Sequence, residues 1–202
     1  MVAFESAPAP KESLVFRAVG EDVFRDFASH HGSSEEVGRI GTFFDNDSKG
    51  AVRDEPRLYG LWGCGRLTAV VCLTIFVNPA DESRSCRLDS VIVDPALRRR
   101  GLASLLIAHA FQDIIETSDF IITMFHSHAV HPATVKMLRH FMFSDPPVRG
   151  APLISVHVDD GNRDEFLARC ASIVQEGAGQ LKLYCAYCLK RDRRRSRPWC
   201  VG

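Results

Sequence analysis

The stretch VIVDPALRRRGLASLL (Val91–Leu106) decides the reading of this chain. An apolar, β-branched run meets a proline turn, three arginines follow in a row, and Gly101 then opens a second apolar run. Leu102, Leu105, Leu106, Ala110 and Ile114 recur at helical spacing, so a helix is predicted from Gly101 to Glu116. A helix N-terminus already carries about half a positive charge and up to four unpaired backbone N–H groups. Stacking three guanidinium groups there is unfavourable unless an anion such as a pyrophosphate sits at the helix start. Gly101 removes the side chain that would block backbone approach to that anion, and Ala103 keeps the next turn small. A solvated basic turn capping an ordinary helix is the competing reading. The position of the stretch, after a buried-looking strand and at a crossover connection, favours the ligand.

Working outward, SLVFRAV (Ser13–Val19) reads as a first strand. Glu21 to Ser29 then places Val23, Phe24 and Phe27 on one helical face, with acids in the first turn. SSEEVGRIGTFF predicts a second helix capped by Ser33 or Ser34, and Asp45 to Pro56 reads as a loop. RLYGLWGCG, RLTAVVCLTIFV and SRSCRLDSVIV are three consecutive strands, which predicts an antiparallel meander. DFIITMF (Asp119–Phe125) reads as a strand buried on both faces. HPATVKMLRHFMF returns to helix with proline in its first turn. PLISVHV is a strand, RDEFLARCASIVQE a helix with Phe166, Leu167, Cys170, Ile173 and Val174 on one face, and QLKLYCAYCL a last strand. The strand–helix–strand segment from Cys86 to Phe125 requires a right-handed crossover between parallel strands. The expected class is α/β, a mixed sheet with helices on its faces.

Composition sets the limits. The 202 residues suit one domain, and at 46% apolar a sizeable core is available. Net charge is zero, so the whole chain does not advertise a nucleic-acid or membrane partner, but the charge is uneven. From Lys182 onward seven basic residues face one acid, Asp192, so the tail carries +6 and the remainder −6. Seven cysteines, mostly inside apolar segments, fit buried thiols in a reducing compartment rather than a disulfide framework. The N-terminal MVAFESAPAPKES has no signal-peptide pattern, and the longest uncharged apolar stretch, Leu67 to Val77, is far too short to span a bilayer. A cytoplasmic protein is expected, organised as a flexible leader (1–12), one domain (13–189) and a basic tail (190–202).

Strand, then Val-x-Pro-like turn, then Arg98, Gly101 and Ala103 at the three defining spacings, then helix: this order resembles the acyl-CoA-binding motif of the GNAT superfamily of N-acyltransferases. HPATVKMLRHFMF is similar to that family's next helix, and the predicted element order matches from residue 13 to about 158. The resemblance implies a GNAT-like, mostly antiparallel sheet with a central parallel pair and helices on both faces. It implies acetyl-CoA or a related acyl-CoA as co-substrate, and an amine acceptor that attacks the acyl carbonyl directly. Backbone N–H groups of Arg99, Arg100, Gly101, Leu102, Ala103 and Ser104, with Arg98, would hold the pyrophosphate, and the edges of Val91 and Val93 would bond the pantetheine arm. The strand at Phe120–Phe125 would splay away, leaving a V-shaped slot for the thioester. His131, where relatives carry asparagine, and Lys136 are candidate CoA contacts. Asp89, where many relatives carry glutamate, is the candidate base; pairing with Arg87 or capping a turn is its structural alternative. The position of the family's proton-donating tyrosine is Leu138, which leaves Ser127 and His126 as the nearest substitutes for the general acid.

Other signals point elsewhere. HSHAVH (His126, His128, His131) invites a metal, but no carboxylate or cysteine at ligand spacing completes a site, so no metal is expected. Cys185 and Cys188 with Cys200 make only part of a zinc site and read better as buried thiols. LKRDRRRSRPW could track phosphates, with Trp199 stacking on a base, or be a solvated end. The helix at Arg163–Glu176, where relatives often have a short hairpin, is expected to shape the acceptor side or a homodimer interface. The alternative function is a catalytically weak CoA- or nucleic-acid-binding protein on the same scaffold, using the basic tail.

Overall fold

The computed structural model describes residues 14–33, 37, 55–63, 66–78, 82–118, 121–128, 132–144 and 153–177. The order is β1 (Val15–Ala18), α1 (Glu21–His31), β2 (Glu55–Gly63), β3 (Arg66–Val77), β4 (Arg84–Val93), a short 3-10 turn at Pro95–Leu97, α2 (Leu102–Thr117), β5 (Ile122–Ser127), α3 (Pro132–Arg139), β6 (Ile154–His157) and α4 (residues 163–177). The six described strands form one sheet in chain order. Every neighbouring pair is antiparallel except β4 and β5, which run parallel because α2 carries the chain back across the sheet. The expected meander is β2–β3–β4.

Helices lie on both faces. Phe24, Phe27 and Ala28, spaced three and four apart on α1, are buried against Val70, Cys72 and Ile92. The opposite face takes α2, nine of whose residues are buried, because Ala108 and Ala110 let it lie close to the sheet. Phe111 from α2 centres an aromatic group there, with ring centroids 4.4 Å from Phe125, 5.7 Å from Phe141 and 5.9 Å from Phe166. α4 packs on this same face through Phe166 and Cys170, so its apolar side is used within the chain's own core.

Five expectations need revising or lie out of view. β5 starts later than expected and is not buried on both faces: Ile121 is 61% exposed and Thr123 is exposed. The physical reason is coverage, since α1 packs mainly on β2, β3 and β4. Most of the helix expected after Ser33 lies outside the described residues, as do the last strand (180–189), the leader (1–12) and the tail (190–202). Cys72, Cys86 and Cys170 are free, buried thiols; burial pushes all three upward, Cys170 to about 12. Among the described residues no helix is long and apolar enough to cross a membrane.

Candidate functional site

The site begins with one extra residue. Cys72 of β3 faces Ser90 of β4 and Leu73 faces Leu88, so Asp89 is the unmatched residue of a bulge. A bulge bends its strand and increases the local twist. The parallel ladder between β4 and β5 runs from Arg84↔Ile122 only to Arg87↔His126, so it stops where the bulge begins. Ser127 Oγ then donates to the Leu88 carbonyl at 3.1 Å and closes the end of that ladder. From Asp89 to Val93, β4 runs on past the end of β5, and among the described residues no strand pairs with this edge. The Asp94 N–H bonds Thr68 O on β3 at 3.0 Å; by ladder alternation, the N–H and C=O groups of Val91 and Val93 face away from β3, toward that edge.

The turn after β4 is built for an anion. Asp94 Oδ1 accepts from the Ala96 N–H at 2.9 Å, Pro95 presets the backbone, and buried Leu97 anchors the turn. Arg98 ties it down: Nε donates to Val93 O at 3.2 Å and Nη2 to His31 O, at the end of α1, at 3.1 Å. Arg98 thereby takes the Val93 carbonyl, so the strand edge offered to a ligand is Val91 and the Val93 N–H. Arg99 (φ 62°) and Gly101 (φ 76°) are both left-handed, a conformation that costs a non-glycine residue about 1–2 kcal/mol. Gly101 is the N-cap of α2, and its carbonyl accepts from Leu105 N–H at 2.9 Å. The amides of Leu102, Ala103 and Ser104 therefore have no acceptor one turn back, and none is found for them among the described residues. Left-handed turns running into a helix N-terminus make a concave set of N–H groups suited to phosphate oxygens. Arg98, Arg99 and Arg100 are exposed around it, and a pyrophosphate fits this donor set.

On the α1 side of the bulge lies a polar cluster. Thr74 Oγ1 donates to Asp89 Oδ2 at 2.5 Å, and Arg87 Nε donates to Asp89 Oδ1. The Asp89 side chain is only 16% exposed. Burial raises its pKa above the usual carboxylate value, opposed by the Thr74 bond, by Arg87 and by His128. The Arg87 guanidinium carbon stands 4.5 Å from the Phe76 ring centre, and Phe76 lies 6.1 Å, ring to ring, from His126. His126 Nδ1 is buried, and among the described residues it has no hydrogen-bond partner. Burial, then the charge of Arg87, then His128, push its pKa down to about 4.

The sequence-predicted residues therefore divide. Val91, Val93 and Arg98 to Ser104 come together at one end of the unpaired β4 edge, and Asp89, His126 and Ser127 at the other. Lys136 is exposed on α3, Leu138 is fully buried in the core, and His131 lies outside the described residues. Arg87 was foreseen only as a partner of Asp89. Thr74 and Phe76 were missed, because their facing residues depend on the register around the bulge.

A model of the acetyltransferase (GNAT) family matches residues 21–141. No curated protein matches the chain. Among solved structures, a tyrosine-to-phenylalanine mutant of the toxin AtaT, bound to the C-terminus of the antitoxin AtaR and acetyl-CoA, is 17% identical with a TM-score of 0.51, over 72% of this chain and 94% of that one. AtaT complexed with acetyl-methionyl-tRNAfMet is 14% identical with a TM-score of 0.53, over 77% and 99%. A Desulfovibrio desulfuricans protein assigned to the GNAT acetyltransferases is 16% identical with a TM-score of 0.52, over 73% and 100%. At these identities the likeness is one of fold.

Proposed function

The chain belongs to the GNAT acetyltransferase family, and from that premise we propose that it moves an acetyl or related acyl group from acyl-CoA to an amine by direct attack. The observation that carries this is the free edge of β4: its pairing with β5 stops beside the bulge at Asp89, and the unpaired strand leads straight into the amide cradle at Gly101. The cradle amides and the guanidiniums of Arg99 and Arg100 hold the pyrophosphate. Arg98 keeps the turn in shape, the Val91 edge receives the pantetheine arm, and the thioester sits in the slot beside Asp89.

Two proton problems then fall to this chain. A lysine-like amine, pKa ~10.4, costs roughly 4.6 kcal/mol to deprotonate at pH 7. Asp89 is the carboxylate placed to draw that proton, directly or through water. The departing thiolate, with a pKa near ~8.5, lies only about 2 kcal/mol above its thiol at pH 7, so water suffices to protonate it. That matters because Leu138 offers no proton, the Ser127 hydroxyl already donates to Leu88, and His126 is held neutral.

The test is thiol release from acetyl-CoA with a panel of amines, for the native chain and Asp89→Ala. Amine-dependent release that falls at least tenfold in the variant is expected. Tight CoA binding with no amine-dependent release across the panel would instead favour a non-catalytic CoA-binding protein.

A second reading concerns the acceptor. The tail from Lys182 carries +6, and AtaT has been captured with acetyl-methionyl-tRNAfMet. Both support an acceptor amine carried on a nucleic acid, with the tail tracking its phosphates. Salt-sensitive tRNA binding that is lost on deleting residues 190–202 is the expected result. Unchanged binding, or none, removes this reading.

A further inference from the structure

The polar cluster on the α1 side contains a cation that the acyl-transfer reading does not require. Arg87 sits two residues before Asp89 on β4, in register with His126 across the last rung of the parallel ladder. Its Nε bonds Asp89 Oδ1, and its guanidinium lies over the Phe76 ring. Phe76 in turn neighbours His126. Arg87 thus bonds Asp89, lies over Phe76 and stands in register with Thr74 on one side and His126 on the other, at the last rung of the parallel ladder.

We propose that Arg87 is a positioning residue for acyl transfer, clamping the Asp89 carboxylate where the parallel pairing ends and, braced on Phe76, placing a fixed positive charge between Asp89 and His126. The proposal rests on the acyl-transfer reading above. A carboxylate left loose there would choose among solvent, Thr74 and the acceptor. With one oxygen on Arg87 and the other on Thr74, it presents its remaining lone pairs in a single orientation. The flat guanidinium over an aromatic ring is itself immobilised by cation–π attraction.

The electrostatic consequences are specific. Among the described residues the groups around Asp89 are Arg87 on β4, Thr74 and the neutral thiol of Cys72 on β3, the neutral thiol of Cys86 on β4, and His128 at the end of β5. Around His126 they are Arg87 and His128. Arg87 lowers the pKa of both Asp89 and His126. Its removal must raise both: the carboxylate loses a counter-charge, and the imidazole loses a repelling one. The paired shift reports the charge itself, and the acid limb of kcat/KM separates a positioning role from a merely structural one.

The experiment compares the native chain with Arg87→Met and Arg87→Lys, each checked for native circular dichroism and for CoA affinity by calorimetry. NMR titration of the Asp89 carboxyl and the His126 ring needs no acceptor. Both pKa values are expected to rise by about one unit or more in Arg87→Met and to return toward native in Arg87→Lys. With an amine that supports thiol release, the acid limb of kcat/KM is expected to move to higher pH by a similar amount, with CoA affinity unchanged. Unmoved titrations in Arg87→Met overturn the clamp, as does an acid limb that stays in place while the Asp89 titration shifts. Failure of the native chain to release thiol with any amine counts against the acyl-transfer reading, while the two titrations still decide whether the clamp exists.

Discussion

Thr74 Oγ1 donates a 2.5 Å hydrogen bond to Asp89 Oδ2, from a fully buried threonine on β3 to the unmatched residue of β4. The bond favours the ionised carboxylate and offsets part of the burial cost that raises the Asp89 pKa. Thr74→Val should destabilise the protein by about 1.5–3 kcal/mol at pH 7, the range for a hydrogen bond to a charged group. The sign follows from the ionised form: the penalty is present above the Asp89 pKa and shrinks as pH falls through it. Urea unfolding at pH 7 and pH 3.5 checks this, and an equal penalty at both would contradict it.

Gly101 is the N-cap of α2 at φ 76°, and a side chain there acts in two separable ways. Gly101→Ala should cost roughly 1 kcal/mol of stability, because alanine resists the left-handed conformation. Gly101→Asn should cost less, because asparagine tolerates it. Both should weaken CoA binding at least tenfold by crowding the amide cradle. If asparagine restores stability and affinity alike, approach of the phosphate is not the reason for glycine.

Ser127 Oγ is committed to the Leu88 carbonyl at the end of the parallel ladder. Ser127→Ala should lower stability by about 1 kcal/mol and leave kcat for amine-dependent thiol release within about threefold. A hundredfold loss of kcat in a stable variant would make the hydroxyl the proton donor after all.

His126 supplies a pH signature. Its folded pKa is lowered to about 4 from an ordinary 6.5, so folding disfavours its protonation. Stability from this group is fully present above pH 6.5 and is lost as pH falls toward 4. Partial exposure discounts the size to about 1–2 kcal/mol. His109, also lowered by burial, adds to the same slope. His126→Gln should flatten part of the decline in unfolding free energy between pH 6.5 and 4.5; an unchanged slope would assign all of it elsewhere.

The sequence reveals the anion cradle more fully than the chemistry beside it. Three arginines before Gly101 at the start of an apolar helix are a local pattern, and a helix N-terminus is a local object. The structure adds that Arg98 spends its guanidinium on the Val93 and His31 carbonyls, a contact between residues 67 apart that no local pattern carries. The meander, the crossover and the helical faces of α1, α2 and α4 follow from periodicity in the same way. The place where β4 and β5 stop pairing does not. It depends on a bulge at Asp89, and a one-residue offset between two strands is invisible in either strand alone. Thr74 and Phe76 were hidden for that reason. β5 was expected to be buried on both faces because its residues are apolar, whereas burial there is set by where α1 lies.

The account rests on the cradle at Gly101, and calorimetry with coenzyme A tests it most directly. A saturable heat of association at one site per chain, weakened at least tenfold in Gly101→Asn and unchanged in Ser127→Ala, is the predicted result. No heat of association with the folded native chain, or binding indifferent to Gly101, would contradict it.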